Sequence, residues 1–155
     1  MDTLAIFGLQ FVLSVTVFGL LAKWEIAPRL AKLSQGDALF WLTVPHAFRH
    51  VGMAFLVPGL NSQLPPEYFA VPAAYGDLTA GLLALTTMVA LRLQWTIAIP
   101  IAWLFNVVGT LDLFNALRHA EVVPSFGATW FIPTFIVPLL LVTHYLSFAR
   151  LLKRG

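Results

Sequence analysis

Five apolar runs, roughly Thr3 to Ala22, Ala38 to Val57, Pro72 to Leu93, Trp95 to Leu117 and Trp130 to Leu152, occupy most of the chain, with short polar stretches between them. At a rise of about 1.5 Å per residue, each run is long enough to cross about 30 Å of hydrocarbon as a helix. The pattern predicts an all-α integral membrane bundle of five transmembrane helices (about 3–22, 38–57, 72–93, 95–117 and 130–152) forming one transmembrane domain over residues 1–155. The first run begins with Asp2 and no Lys or Arg, and Leu20 with Ala22 makes a poor small-x-small cleavage site, so it is expected to remain as a helix.

Punctuation between the runs refines this picture. Pro28, Gln35 and Gly36 read as a basic interfacial stretch that ends helix 1, with Asp37 as the expected N-cap of helix 2. The segment Pro58 to Val71 is the one long outer loop, and its Pro65-Pro66-Glu67 start followed by Tyr68 and Phe69 predicts a short helix among the headgroups. Pro72 then opens helix 3, where a missing N–H is harmless. Pro133 and Pro138 in helix 5 predict a kink near Thr134, whose carbonyl loses its helical donor. No internal repeat is evident.

Charge orients the bundle. Lys23, Arg29 and Lys32 follow helix 1, Arg92 lies in the turn between helices 3 and 4, and Arg150, Lys153 and Arg154 close the chain, against Arg118 alone on the other side. Positive residues stay in the cytoplasm, so the N-terminus is expected outside and the C-terminus inside. Composition agrees with a membrane protein: 59% hydrophobic, 10% charged and a mean hydropathy of +0.85 leave too little polar surface for a soluble globule of this size. The net charge of +2 is spread over segment ends without a basic patch, which argues against a nucleic-acid partner. Zero cysteines excludes disulfides, thiolate metal sites and cysteine catalysis.

The chemistry lies in the few polar residues inside the runs. Arg49 sits well within the second run, with His46 and His50 on the same face of an α-helix. A guanidinium in hydrocarbon costs about 3 kcal/mol on insertion scales, so it needs an internal partner, and Asp77 and Asp112 are the candidates. Counting depth along the helices places Arg49, His50, Asp77, Asn106 and Asp112 in a polar pocket in the outer half of the bundle, with Glu67 in the loop able to close over it. One guanidinium against two carboxylates leaves excess negative charge, so one carboxyl is expected to hold a proton unless His50 is charged. The bland alternative is an ion-pair network that only pins helix register.

The remaining histidines raise cofactor questions. His46 and His144 lie at similar depth, as the two axial ligands of a b-type haem would, while His46 and His50 at i and i+4 would make half of a metal site. Neutral histidines bonded to neighbouring helices are the commoner arrangement, and Tyr145 and Leu146 crowd His144, so neither haem, metal nor any other cofactor is expected. Gly76, Ala80 and Ala84, with Gly81 and Gly109, predict close helix packing, and Trp24, Trp95, Trp130, Tyr68 and Tyr75 read as interfacial anchors.

The strings Phe48-Arg49-x-x-Gly52, Leu64-Pro65 through Pro72-Ala73, Gly76-Asp77, Asn106-x-x-Gly109 with Asp112-Leu113, and Ile132-Pro133 to Ser147 resemble a group of small, uncharacterised bacterial multi-pass inner-membrane proteins without assigned function. The resemblance covers helices 2 to 5, implies a bacterial cytoplasmic membrane and supplies no activity. No GxSxG, HExxH, Walker A or dinucleotide glycine fingerprint is present. Three readings follow. The pocket binds or transports a small solute or proton, with Pro45 and Pro138 as gating points and a homodimer as the working unit. Alternatively, Asp77 or Asp112 is the acid or base of an intramembrane enzyme acting on a lipid-like ligand, with Arg49 and Asn106 stabilising negative charge. Otherwise the chain is an accessory subunit whose partner in every case includes the lipid bilayer.

Overall fold

The computed structural model describes residues 1–153, and Arg154, the last of the basic residues counted above, lies outside them. Among the described residues the protein is all-helical, with no strand. Four helices are long and apolar enough to cross a membrane: α1 (Thr3–Leu30), α3 (Glu67–Arg92), α4 (Ala98–Leu117) and α5 (Ala128–Leu152). Between α1 and α3 lies α2, which is α-helical over Gln35–Thr43 and then tightens into a 3₁₀ helix over Val44–Leu56.

Three boundaries differ from the sequence reading, each for a local reason. Helix α1 does not stop at Ala22, because a widened turn at Ala22–Ile26, closed by the Ala27 N–H on the Ala22 carbonyl, admits Pro28 without ending the helix. Ser34, and not Asp37, caps α2: its hydroxyl accepts from the Asp37 N–H (3.1 Å) and donates to the Asp37 carboxylate (2.7 Å). The expected headgroup helix is instead the first turn of α3, which runs unbroken from Glu67 through Pro72. The turn to α4 is closed by Gln94 at φ 53°, with the Trp95 N–H on the Ala90 carbonyl and the Gln94 N–H on the Leu91 carbonyl, a Schellman stop that makes α3 and α4 an antiparallel hairpin.

Helix α5 repeats the device seen in α1. Its widened turn, Ile132–Ile136, is closed by the Val137 N–H on the Ile132 carbonyl, and Pro138 follows two residues later, as Pro28 follows Ile26. These two helices lie parallel. Near their N-termini Phe7 meets Trp130 edge-on at 5.7 Å, the Trp130 indole donates to the Gln10 side chain at 2.6 Å, and Phe18 packs on Phe135 at 5.2 Å.

Helix α2 travels the length of the bundle. At its start the Gln35 side chain donates to the Arg150 carbonyl (3.0 Å) near the end of α5, and Phe40 lies 5.7 Å beneath the Arg92 guanidinium at the end of α3. Beyond its far end Asn61 accepts from the Thr129 hydroxyl (2.7 Å), and the Ser62 N–H reaches the Ser125 carbonyl, both at the opening of α5. The centre that α2 crosses is lined on α3 by small buried residues, Ala70, Ala73, Ala74, Ala80, Gly81 and Ala84, so the backbones approach closely. A cluster of Phe55, Phe69, Leu113, Val122, Phe126 and Ile132 fills the end of the bundle next to the aspartates.

Candidate functional site: a buried arginine between two aspartates

The tight winding of α2 decides which side chains enter the centre. At 3.0 residues per turn positions three apart eclipse, and His46, Arg49, Gly52 and Phe55 are the buried residues of the Val44–Leu56 segment. His50 does not join them. Four residues on from His46 it is rotated by about 120°, against about 40° in an α-helix, and it lies exposed with Nδ1 3.2 Å from the Ala47 carbonyl. The i, i+4 pairing of His46 with His50 as metal ligands is therefore lost.

Arg49 has no exposed side-chain surface, and each of its three nitrogens has an acceptor. Nε donates to Asp77 Oδ1 on α3 (2.7 Å), one terminal nitrogen to Asp112 Oδ2 on α4 (2.5 Å) and the other to the Gly109 carbonyl (3.0 Å). Charge-assisted bonds of this length are the strong class, and together they tie three helices to one guanidinium. Neither Asp77 Oδ2 nor Asp112 Oδ1 takes a hydrogen bond from any described residue.

Three glycines make room for this arrangement, one for each charged side chain. A Cβ on Gly52 would overlap the Asp77 carboxylate, and one on Gly76 would overlap that of Asp112. At Gly109 it would lie 2.9 Å from an Arg49 terminal nitrogen and 2.8 Å from His144 Nε2. Spacing alone marked Gly76 and Gly109 as packing residues; that each faces a charged group depends on which helices are neighbours.

A family described as "Domain of unknown function (DUF8737)" matches residues 6–152, which takes in α2 to α5, all but the first three residues of α1, and every residue of the charged centre. The chain belongs to this family. No curated protein and no solved structure matches it.

Below the arginine, this DUF8737 chain holds a second polar group. His144 Nδ1 is 2.8 Å from Asn106 Oδ1, and the Asn106 amide donates to the Ala102 carbonyl, so the imidazole carries its proton on Nδ1. The Thr143 hydroxyl lies 3.0 and 3.1 Å from the carbonyls of Leu139 and Leu140 and donates there, so its oxygen accepts from His46 Nε2 at 2.9 Å. These assignments leave His46 Nδ1 and His144 Nε2 buried without a protein partner, as are Thr110 Oγ1 and Ser147 Oγ. Asn106 thus belongs to the histidine pair and makes no bond to the Arg49 guanidinium. Thr143 carries no charge and gave no signal in the sequence, as is usual for a hydroxyl in an apolar helix.

The histidine pair does not suit haem. Axial ligation from both faces needs ring nitrogens about 4 Å apart across the iron, with the ring centres farther apart still. Here the ring centres are 4.1 Å apart and the planes 50° to each other, so the imidazoles touch and leave no slot for a macrocycle.

Asp77 and Asp112 both line a cavity of about 40 Å³, room for a few water molecules. Its walls are apolar, from Phe7, Phe55, Phe69, Leu113 and Phe126, and the 119–123 stretch closes it. His119 is on that wall, and its Nδ1 is 2.9 Å from the Glu121 carboxylate. Glu121 is held below the usual carboxylate range by its own backbone N–H and by His119. Glu67 lines none of this cavity and is exposed. The loop after α4 closes the site, and the loop before α3 does not.

Proposed function

We propose that this chain is a five-span protein of a bacterial cytoplasmic membrane, N-terminus outside and C-terminus inside, whose Arg49–Asp77–Asp112 centre binds and passes a proton or a small cationic solute. The observation that carries this reading is the charge inventory: two carboxylates share one fully buried guanidinium, and both aspartates line a cavity. Excess negative charge in a low dielectric is relieved by taking up a cation, and a proton is the smallest. The course of α2 supports the fifth crossing. Nine residues of α-helix and thirteen of 3₁₀ helix extend together about 40 Å, enough for the hydrocarbon core.

A second reading, register fixing alone, draws on the fact that every Arg49 nitrogen is already bonded. Flux separates the two. Purified protein in vesicles loaded with a pH-sensitive dye should dissipate an imposed pH gradient under a potassium diffusion potential faster than protein-free vesicles. Asp77→Asn and Asp112→Asn, folded as judged by circular dichroism, should each slow this by tenfold or more. Wild-type vesicles that hold both proton and small-cation gradients as long as empty ones would leave the structural reading.

A further inference from the structure

The parallel helices α1 and α5 leave a hollow between them alongside the Phe18–Phe135 contact. Between them runs an open apolar groove of about 520 Å³, walled by Val15, Gly19, Leu141, Val142 and Leu146. The α1 side of the groove is small: Gly19 and Ala22 line it, just before and within the widened turn at Ala22–Ile26. A second hollow continues it toward the helix ends, sharing Ala27 and Leu146 with the first.

Charge is confined to one end of this surface. Lys23 borders the groove, and Arg150 and Lys153 border the continuing hollow, while no acidic side chain lines either. The nearest acid on α1, Glu25, is taken by Arg29 at 2.6 Å. An apolar trough leading to a cluster of cations at a helix end matches a molecule with an acyl chain at one end and a negative headgroup at the other.

We propose that the α1–α5 groove is a binding site for one anionic phospholipid, its chain along Gly19 and Leu146 and its phosphate among Lys23, Arg150 and Lys153. A zwitterionic lipid would fill the trough equally well but gain less from the rim. Each basic residue near an anionic headgroup contributes about fivefold in affinity, so the preference should exceed tenfold. The site is separate from the Arg49 centre and stands whether or not that centre carries protons.

Full-length protein, purified in detergent and stripped of lipid, would be titrated with phosphatidylglycerol and, in parallel, with phosphatidylcholine of the same chains, and bound lipid counted by native mass spectrometry. One phosphatidylglycerol should be retained per chain at concentrations at least tenfold below those needed for phosphatidylcholine. The triple variant Lys23→Gln, Arg150→Gln, Lys153→Gln should bring the two lipids to parity. Gly19→Phe probes the trough: a Cβ there meets nothing within 4 Å, so the fold should survive while occupancy by both lipids falls. If the triple variant does not fold, the rim is tested by salt, which must weaken phosphatidylglycerol binding to the wild type. Equal affinity of the wild type for the two lipids, or occupancy indifferent to both salt and Gly19→Phe, would overturn the assignment.

Discussion

Arg49 shows how one residue organises the interior of a helical bundle. Its guanidinium binds a carboxylate from α3, a carboxylate from α4 and a backbone carbonyl, and every one of those bonds depends on a glycine standing aside. Removing one partner of a buried ion pair leaves an uncompensated charge and typically costs about 3–5 kcal/mol, and overpacking a filled interior costs about 1–3 kcal/mol. Arg49→Met should therefore lie in the first range, and Gly52→Ala, Gly76→Ala and Gly109→Ala in the second, by denaturant-induced unfolding in mixed micelles. Gly8→Ala is the control, since nothing lies within 4 Å of a Cβ there. A Gly109→Ala protein as stable as the control would show that the centre has slack the geometry denies. The charges were legible in the sequence because ionised groups in hydrocarbon need partners. The backbone acceptor at Gly109 was not, since every residue has a carbonyl and sequence does not say which one is within reach.

At the level of the element, winding matters more than composition. With the α-helical period the second apolar run groups His46 with His50; its 3₁₀ winding groups His46 with Arg49, Gly52 and Phe55 and turns His50 outward. The period-three spacing of those four residues was present in the chain, but a short run of threes is also compatible with one face of an α-helix. Because the protein has no cysteine, single-cysteine replacements across 44–56 report cleanly on this point. Modification by a membrane-permeant thiol reagent should be slow at 46, 49, 52 and 55 and fast at 48, 50 and 51. An α-helical pattern, with 50 protected alongside 46, would contradict the structure. The widened turns of α1 and α5 belong to the same scale: Pro28 and Pro138 each follow one by two residues, α1 continues where the sequence alone predicts an end, and the turn of α5 includes Thr134, where the sequence predicts a disturbed helix.

For the whole molecule, the question is how many times the chain crosses. Four helices have the length and apolarity to span, and α1 and α5 lie parallel, with α3 and α4 forming a hairpin. On the proposed five-span reading, α2, tied to Arg150 at its start and followed by Asn61 at Thr129, supplies the further crossing that parallel first and last helices with a hairpin between them call for. A C-terminal fusion to an enzyme active only outside the cytoplasm should then stay silent, and a fusion in the loop near Ser62 should be active. Strong activity from the C-terminal fusion would refute the orientation.

The sequence by itself determined the helical content, the runs long and apolar enough to cross a membrane, and that Arg49, Asp77 and Asp112 must find partners, because the cost of exposing charge or unpaired backbone to lipid depends on composition and run length alone. Only the tertiary structure decided the winding of α2, the exclusion of His50 and Glu67 from the centre, the contact between His46 and His144 and the carboxylate-facing role of the glycines. Those depend on which backbones come close enough to touch, and that distance is set by packing between helices distant in the chain, which no local pattern encodes.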